Sequence, residues 1–345
     1  MTPPQTDPNV LRHGGALDAA IARHGGSRAD WLDLSTGINP SPPRLPDLDP
    51  ALWQRLPEAA LEARALAAAR HCYGAPAGAG LVAAPGTQAL IAALPHLFAP
   101  ADIAILTPTY SEHALTFASA GHRVSGFERL EAVPTDAQIV VVVNPNNPDG
   151  RVFEPADLLA LADRPAASGG LLIVDEAFAD VAPSRSLASA TGRDGLLVYR
   201  SFGKFFGLAG LRLGFALTAP ALATRLAERL GTWAVSGPAL AVGATLLGDA
   251  SVVDQIRTDI LRQHELLRTA LDGAGLPLVG GTALFTTVSH PSAHALFAAL
   301  CRRQILVRPF TAPREWLRFG NPADAQQARR LETALREALA EIGTS

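Results

Sequence analysis

Short apolar runs alternate with helical patterns between about residues 50 and 240, and this alternation constrains the fold more than any other feature. The segments are the apolar runs 101–106, 138–143, 171–175 and 195–200, and the helical patterns 87–97, 111–120 and 155–165. Each run is apolar on both faces, as strands covered on both sides are. Because parallel strands are joined through helices, the pattern predicts an α/β fold with a mostly parallel central sheet flanked by helices.

A second domain is predicted beyond residue 250, where the alternation stops. The segments there are a long helix at 251–272, short strands near 283–288, 304–308 and 316–319, and an amphipathic helix from about 323. This order is typical of a small α+β domain. The chain of 345 residues is 48% hydrophobic and can bury a large core. The predicted division is an N-terminal arm at 1–45, rich in proline and glycine, a large domain at 46–245 and a small C-terminal domain at 246–345.

Charge and composition exclude several classes of function. The net charge is −3 without a basic run, which argues against nucleic acid as a partner. The sequence contains neither a long apolar stretch nor a signal-like N-terminus, so we expect a cytoplasmic protein that does not contact the membrane. Cys72 and Cys301 are far apart and lack metal-ligand spacing, so we expect no disulfide framework and no metal site.

Polar residues follow each of the four predicted strands. The segments are "TPTY", "NPNNPDG", "DEAFAD" and "SFGK", in chain order. In open α/β sheets ligands bind at the carboxyl ends of the strands. The four segments therefore predict a site at one edge of the sheet.

Lys204, within "RSFGKFFGLAGLRLG", is the only lysine of the chain, although the sequence has 29 lysine and arginine residues together. Arginine replaces lysine in most surface roles, but its guanidinium stays protonated. A lysine amine in an apolar loop can lose its proton and form an imine with a carbonyl group. Lys204 is therefore the candidate for imine chemistry.

The residues near the other strand ends match what a pyridoxal phosphate imine requires. Asp175 can hold a proton on a ring nitrogen, Tyr110 can cover a flat ring and Asn147 can donate to a phenolic oxygen. A phosphate needs backbone N–H groups at a helix start and a cation. The candidates for the phosphate are Gly86, Thr87, Gln88, Ser201 and Arg212.

The motifs "GTQ", "PTY", "NPNNPDG", "DEAF", "SFGKFFGLAGLRLG" and "WLRFG" together resemble the fold-type I pyridoxal 5'-phosphate enzymes of the class I/II aminotransferase superfamily, over about residues 30–340. The resemblance implies pyridoxal 5'-phosphate as cofactor, Lys204 as the Schiff-base lysine, and the roles just given for the other residues. It implies that Arg318 grips the substrate carboxylate, a bidentate task suited to guanidinium. It also implies a homodimer.

Two positions depart from the superfamily pattern. Phe178 replaces a tyrosine that donates to the phenolic oxygen of the cofactor, so Asn147 is expected to be the remaining donor. Leu56 replaces a tyrosine that reaches the cofactor phosphate of the neighbouring subunit. Both changes argue against ordinary transamination.

The N-terminal stretch "LRHGG", followed by "LSTGINP", resembles the threonine-phosphate decarboxylases of cobalamin biosynthesis. The resemblance implies decarboxylation of L-threonine O-3-phosphate to (R)-1-amino-2-propanol O-2-phosphate. We expect Arg308 and His13 to bind the substrate phosphate, with Ser35 or Thr36 as further donors. The remaining substrate-binding candidates are the backbone at Gly37 and Ile38, Asn147, and Arg318.

Three alternatives differ from this reading in testable ways. An aminotransferase for a phosphorylated substrate such as histidinol phosphate would break the Cα–H bond instead of the Cα–carboxylate bond, and the motifs do not decide between these bonds. A non-catalytic sensor domain fused to a DNA-binding module would need chain before the arm, which the sequence does not contain. A dinucleotide-dependent dehydrogenase would need G-x-G-x-x-G after the first strand, and "GLAGLRLG" has different spacing.

Overall fold

The computed structural model describes residues 14–166 and 169–343. The helices are α1 (Leu17–His24), α2 (Ala59–Tyr73), α3 (Thr87–Ala93), α4 (Glu112–Ser119), α5 (Pro155–Ala166), α6 (Phe202–Phe205), α7 (Pro220–Leu230), α8 (Gly237–Leu247), α9 (Ala250–Gly273), α10 (Ala293–Arg302) and α11 (Ala325–Gly343). The strands are β1 (Leu32–Asp33), β2 (Gly80–Ala84), β3 (Asp102–Leu106), β4 (Arg123–Phe127), β5 (Ile139–Val143), β6 (Leu171–Asp175), β7 (Leu196–Ser201), β8 (Gly214–Thr218), β9 (Leu278–Thr282), β10 (Phe285–Ser289), β11 (Ile305–Leu306), β12 (Arg308–Pro309) and β13 (Trp316–Gly320).

The chain packs as two units, one formed by residues 42–257 and the other by the described residues up to Ser41 together with those from Thr258. The predicted N-terminal segment thus packs in the same unit as the C-terminal segment. The predicted division into 1–45, 46–245 and 246–345 stays a prediction.

The unit of residues 42–257 is built on a seven-stranded sheet with the order β2-β8-β7-β6-β5-β3-β4. Strands β7, β6, β5, β3 and β4 are parallel, and β8 pairs antiparallel with both β7 and β2. Because β2 is antiparallel to β8, it points the same way as β7. The predicted α/β class with a mostly parallel sheet flanked by helices is confirmed.

The central strands of this sheet are buried on both faces. All five residues of β5, "IVVVV", are buried, and so are all residues of β6 and β7. One face packs against α3, α4 and α7 through Leu90, Phe117 and Leu226. This double covering explains why the strands lack the alternation of a half-exposed sheet.

The other unit holds a four-stranded antiparallel sheet with the order β12-β13-β10-β9 and a two-stranded parallel pair, β1-β11. Its core gathers apolar side chains from β1, α9, β10, α10, β13 and α11, including Leu271, Val288, Leu300, Phe319 and Leu335. The core therefore joins residues from both ends of the chain, and the N-terminal segment belongs to it through Leu32 and Leu34.

Several elements differ in detail from the sequence-based expectation. The strand predicted near 283–288 is the second half of a hairpin, β9-β10, and the one near 304–308 divides into β11 and β12, which belong to different sheets. Strands β1, β2, β4, β8 and β9 were not predicted. Among the described residues, no single helix has the length and apolar character to cross a membrane, and only α8 and α9, bent by 85°, pass that test together.

Candidate active site

The loops that follow β2, β3, β5, β6 and β7 all leave the same edge of the seven-stranded sheet, because these strands point the same way. They carry the polar segments that the sequence analysis singled out. The predicted cofactor-binding residues therefore gather at this edge, within the unit of residues 42–257.

Asp175 is the last residue of β6 and is only 3% exposed. Its Oδ2 lies 2.9 Å from Nε2 of His113, and its Oδ1 accepts a hydrogen bond from the backbone N–H of Ala177 at 3.1 Å. His113 is itself buried and stacks on the ring of Tyr199, with centroids 6.4 Å apart. A buried carboxylate needs such partners, and here they fix its orientation.

His113 is a residue that the sequence reasoning missed. It lies near the start of α4, one helical turn after Tyr110. Its position on the first turn of a helix that follows a polar strand end is the signal that would have identified it. A single histidine within an apolar helix is otherwise indistinguishable from a core residue.

Tyr110 is half-buried beside Gln88, and its hydroxyl donates to Oε1 of Gln88 at 3.1 Å. Gln88 in turn donates from Nε2 to Oε2 of Glu112 at 3.0 Å. Burial, followed by the charges of Glu112 and Asp175, raises the pKa of Tyr110 to about 12, while Arg212 acts in the opposite direction. The phenol is therefore neutral at physiological pH, and its ring is held in place by the side chains around it.

The loop after β5 is fixed by the residues that surround Asn147. Asn146 donates from Nδ2 to the Pro108 carbonyl at 2.8 Å and to Oδ1 of Asp149 at 2.7 Å. Asn144 exchanges hydrogen bonds with the backbone of Phe153. These bonds make the loop rigid, and Asn147 lies half-buried within it.

Lys204 lies on the short helix α6, directly after β7, and is half-buried. Its neighbours Phe202, Phe205 and Phe206 are almost completely buried, so the helix is anchored in the core. The Nζ atom of Lys204 lies 5.5 Å from the ring centroid of Phe178, on the ring face. Phe178 thus gives the amine an apolar neighbour where the superfamily tyrosine would offer a hydroxyl.

The predicted phosphate-binding residues are aligned by strand register. Gly214, at the start of β8, pairs with Ala84 of β2 on one side and with Ser201 of β7 on the other. This register brings Gly86, at the start of α3, to the guanidinium of Arg212. Gly86 has φ +81°, and a Cβ there would come within 2.7 Å of Nη2 of Arg212. Thr87 and Gln88 form the first turn of α3.

A buried ion network lies next to this site and was not predicted. Arg200, on β7, donates to Oε2 of Glu176 at 2.8 Å and to Oδ1 of Asp180 at 2.7 Å. Arg200, Glu176 and Asp180 are at most 8% exposed, and Ser186 donates to Glu176 as well. Burial raises the pKa of Glu176, and the charge of Arg200 offsets part of that rise. Since Glu176 follows Asp175 and Arg200 precedes Ser201, the network ties the ends of β6 and β7 together.

The other unit presents two guanidiniums on adjacent strands. Arg318 of β13 and Arg308 of β12 are directly paired in register. Arg318 is 8% exposed, and its Cζ lies 5.1 Å from the ring centroid of Phe285. Burial, and then the charge of Arg308, lowers the pKa of Arg318 to about 9. Burial lowers the pKa of Arg308 to about 10. Both remain charged at neutral pH, and an anion bound to them would be strongly stabilised.

The segment 35–38 lies beside Arg318 in this unit, since Nη2 of Arg318 donates to the Ser35 carbonyl at 3.0 Å. The Ser35 side chain is fully buried. Thr36 and Ile38 are half-buried and Gly37 is buried. His13, the other predicted phosphate ligand, lies outside the described residues. The structure thus groups Ser35 with the predicted carboxylate arginine.

The fold and the sheet-edge motifs together define a class of protein. The chain belongs to the class I and II aminotransferase family, whose model matches residues 54–335. It is 48% identical over 327 residues to a threonine-phosphate decarboxylase of Sinorhizobium sp, covering 94% of this chain and 97% of that protein. A threonine-phosphate decarboxylase of Pseudomonas aeruginosa is 46% identical over 330 residues, again covering 94% of this chain and 97% of the relative.

A solved structure of the same fold is the histidinol-phosphate aminotransferase from Sinorhizobium meliloti in complex with pyridoxal-5'-phosphate. It has a TM-score of 0.80 and 20% identity, and covers 94% of this chain and 95% of that chain. At this identity the likeness shows the fold. Within the present chain, the donor set fits the same cofactor. Gly86 leaves room that a Cβ would fill, Arg212 supplies the cation, and a buried carboxylate, Asp175, is held by His113.

Proposed function

We propose that the protein is a pyridoxal 5'-phosphate-dependent lyase that decarboxylates L-threonine O-3-phosphate to (R)-1-amino-2-propanol O-2-phosphate, a step of cobalamin biosynthesis. The observation that carries the proposal is the identity of 48% and 46% to two threonine-phosphate decarboxylases over 94% of the chain. The paired guanidiniums of Arg308 and Arg318 support it, because this substrate carries both a phosphate and a carboxylate.

The residues at the sheet edge hold the cofactor, whose ring supplies an electron sink when bound. Lys204 provides the amine that anchors it, and Asp175 keeps a proton on the ring nitrogen. Tyr110 covers the ring, and Asn147 donates to the phenolic oxygen.

The cofactor phosphate is held by residues that the register of β2, β8 and β7 brings together. They are Gly86, Thr87, Gln88, Ser201 and Arg212. The guanidinium of Arg212 neutralises the phosphate charge, and the N–H groups at the start of α3 donate to its oxygens.

The substrate is bound through its two anionic groups. Arg318 holds the carboxylate, together with the backbone at Gly37 and Ile38, and Arg308 holds the phosphate. His13 and Thr36 are the proposed further phosphate donors. Two guanidiniums on adjacent strands attract an anion more strongly than either does alone. Burial strengthens this attraction further, because it removes the water that would otherwise solvate the guanidiniums.

The net reaction replaces the carboxylate on Cα by a proton. Arg318 must therefore hold the carboxylate until the Cα–carboxylate bond breaks and CO₂ leaves. With the cofactor and substrate bound, the amine of Lys204 would hold a proton and deliver it to Cα. Phe178 favours this step because its ring face lies against Nζ and offers no competing hydrogen bond.

The direct test is an assay of the purified protein with pyridoxal 5'-phosphate and L-threonine O-3-phosphate, in which CO₂ release is measured. We expect CO₂ in stoichiometric amount with the amino alcohol phosphate. Formation of glutamate from 2-oxoglutarate with histidinol phosphate, without CO₂, would identify an aminotransferase and contradict the proposal.

The assignment of the two arginines can be tested separately. Arg308→Gln should raise the KM for threonine phosphate by about tenfold or more, since a hydrogen bond to a charged group contributes about 1.5–3 kcal/mol. The same variant should barely change whatever rate is measured with unphosphorylated threonine. Arg318→Gln should impair both substrates. Arg314→Gln, an exposed arginine on the loop between β12 and β13, is the matched control.

We also propose a cytoplasmic homodimer. The support for a dimer is a groove in the unit of residues 42–257, lined by Leu48, Leu52, Leu56 and Ala241 together with charged residues such as Arg55 and Glu58. Leu56 is 62% exposed and its neighbour Trp53 is 72% exposed, which is unusual for such large apolar side chains. Light scattering should give twice the chain mass, and Leu56→Glu should shift the protein towards the monomer. A wild-type monomer at micromolar concentration would contradict the dimer.

A further inference from the structure

We propose that Gly14, Gly15, Asp33 and Ser35 form a latch that positions Arg318 and makes the N-terminal segment a determinant of substrate binding. Gly14 and Gly15 belong to "HGG", and Asp33 and Ser35 belong to "LDLSTGINP". Ser35 is thereby a positioning residue whose hydroxyl does not reach the substrate. The inference rests on the proposed function, because the role of Arg318 in holding a carboxylate is itself proposed.

The Ser35 hydroxyl is used entirely within the latch. Its Oγ donates to Oδ1 of Asp33 at 2.6 Å and accepts from the backbone N–H of Gly15 at 2.7 Å. The same carboxylate oxygen accepts from the Ser35 backbone N–H at 2.9 Å. Since Ser35 is 0% exposed, this hydroxyl is not available to a phosphate. Its bonds instead attach the "HGG" segment to the chain beside β1.

The Ser35 carbonyl carries the positioning function. It accepts the hydrogen bond from Nη2 of Arg318 at 3.0 Å, so it fixes one arm of a buried guanidinium. Gly14 lies directly against this carbonyl. A Cβ at residue 14 would overlap the Ser35 oxygen and come within 2.9 Å of the Ser35 carbonyl carbon. Only glycine at position 14 lets the N-terminal segment close on Ser35 without displacing the acceptor of Arg318.

The opposite side of this segment is held equally closely. The backbone N–H of Gly320 donates to the Leu34 carbonyl at 2.7 Å, and a Cβ at Gly320 would overlap the Thr36 carbonyl oxygen. Residues 34–36 thus lie between the "HGG" segment and the end of β13, which carries Arg318. A shift of the latch therefore cannot be absorbed by β13 and must move the guanidinium or its acceptor.

The latch couples the N-terminal Gly14 and Gly15 to Arg318, which lies far from them in the sequence. The docking of Gly14 and Gly15 on Ser35 orients Arg318, and an anion on Arg318 should in turn favour the docked arrangement. Thermodynamic linkage requires the two effects to be equal in free energy. Gly14 and Gly15 therefore act on carboxylate affinity without contacting the substrate.

The test compares four variants by steady-state kinetics and by binding of 3-phosphoglycerate, which carries a carboxylate and a phosphate but no amine. Gly14→Ala should raise both the KM for threonine phosphate and the Kd for 3-phosphoglycerate about tenfold, with kcat changed less than about twofold. Ser35→Ala and Asp33→Ala should raise them about three- to tenfold. Asp33→Asn keeps the Oδ1 acceptor and should stay within about twofold of the wild type.

Gly78→Ala is the matched control, because Gly78 has open space around its Cα and no positive φ. All variants should keep the visible spectrum of the bound cofactor, since the latch and the cofactor-binding residues are in different units. If Gly14→Ala misfolds by circular dichroism, Ser35→Ala and the Asp33 pair decide the question. Unchanged KM and Kd in Ser35→Ala and Asp33→Ala would overturn the latch.

A second readout separates positioning from mere structural support. Hydrogen exchange of the Gly15 amide, followed in a peptide that begins before residue 13, should slow when 3-phosphoglycerate binds the wild-type holoenzyme. The slowing should disappear in Asp33→Ala and persist in Asp33→Asn. If the ligand does not change the exchange rate of the Gly15 amide in the wild type, the latch and Arg318 are not coupled.

The same measurements test the proposed decarboxylase separately from the latch. If the latch variants weaken 3-phosphoglycerate binding as expected but the wild-type enzyme releases no CO₂ from threonine phosphate, the latch stands and the decarboxylase is refuted. Decarboxylation with latch variants of unchanged KM and Kd would do the reverse.

Discussion

The buried network around Arg200 allows a quantitative prediction of stability. Arg200→Met keeps most of the volume and removes the charge, leaving two carboxylates that are 0% and 8% exposed, those of Glu176 and Asp180, without their cation. Breaking a buried ion pair by removing one partner costs about 3–5 kcal/mol. We expect the free energy of unfolding to fall by about that amount, measured by urea unfolding at pH 8 and followed by circular dichroism.

The pH dependence of the same variant follows from the sign of the pKa shift. Burial already raises the pKa of Glu176 above 4.5, and loss of Arg200 must raise it further. A carboxyl whose folded pKa exceeds its unfolded value binds more protons when folded, so stability decreases as the pH rises. The destabilisation of Arg200→Met should therefore be smaller near pH 5 than at pH 8.

Two comparisons make this prediction refutable. Arg123→Met removes the cation of an exposed pair, in which Arg123 and Asp102 are 72% and 57% exposed, and should cost at most about 1 kcal/mol. Adding Glu176→Gln to Arg200→Met should recover part of the loss, because one uncompensated charge is then removed. A cost of Arg200→Met below about 1 kcal/mol, or one independent of pH, would show that the network does not hold the ends of β6 and β7 as argued.

Three further predictions concern single side chains. Phe178→Tyr should lower the pKa of the bound cofactor's visible chromophore by about one unit in a spectroscopic titration, because a hydrogen bond to the deprotonated form contributes about 1.5 kcal/mol. An unchanged titration would mean that residue 178 does not face the cofactor. Burial raises the pKa of Cys72 to about 11 and that of Cys301 to about 12. Both thiols should therefore react with iodoacetamide at pH 8 far more slowly in the native than in the urea-unfolded protein. Equal rates in the two states would contradict their burial. Burial lowers the pKa of His264 below 6.5, so the unfolded chain takes up a proton that the folded protein does not, and stability should fall as the pH drops through about 6.5. His264→Gln should flatten this pH dependence of the free energy of unfolding, measured with urea. An equally steep dependence in the variant would reject the assignment.

The sequence was sufficient to predict the strand ends because each strand is a short, fully apolar run followed at once by polar residues. Lys204 could be predicted as the imine-forming lysine because the chain has no other lysine. His113 and Arg200 were not singled out, since the sequence alone does not show which side chain each of them meets. Their partners, Asp175 for His113 and Glu176 for Arg200, lie at the end of β6 and directly after it, and only the fold brings them together.

The predicted donors in "LSTGINP" show a different limit. The motif drew attention to a segment that contacts Arg318, but residue type alone does not say whether a serine acts through its hydroxyl or its carbonyl. For Ser35 the hydroxyl is consumed by Asp33 and Gly15, and the carbonyl meets Arg318. That distinction depends on the pairing of β1 with β11, a contact between segments at opposite ends of the chain.

The antiparallel strand β8 limits where residues can be inserted into the chain. Gly86 and Arg212 meet because Ala84 and Gly214 are paired, and each of these two lies two positions from Gly86 or Arg212, the residues proposed to hold the cofactor phosphate. One extra residue inside β2 or β8 would turn every following side chain to the other face of the sheet and separate the two. Insertions should therefore be excluded from these two strands and tolerated in the loops at the opposite edge of the sheet.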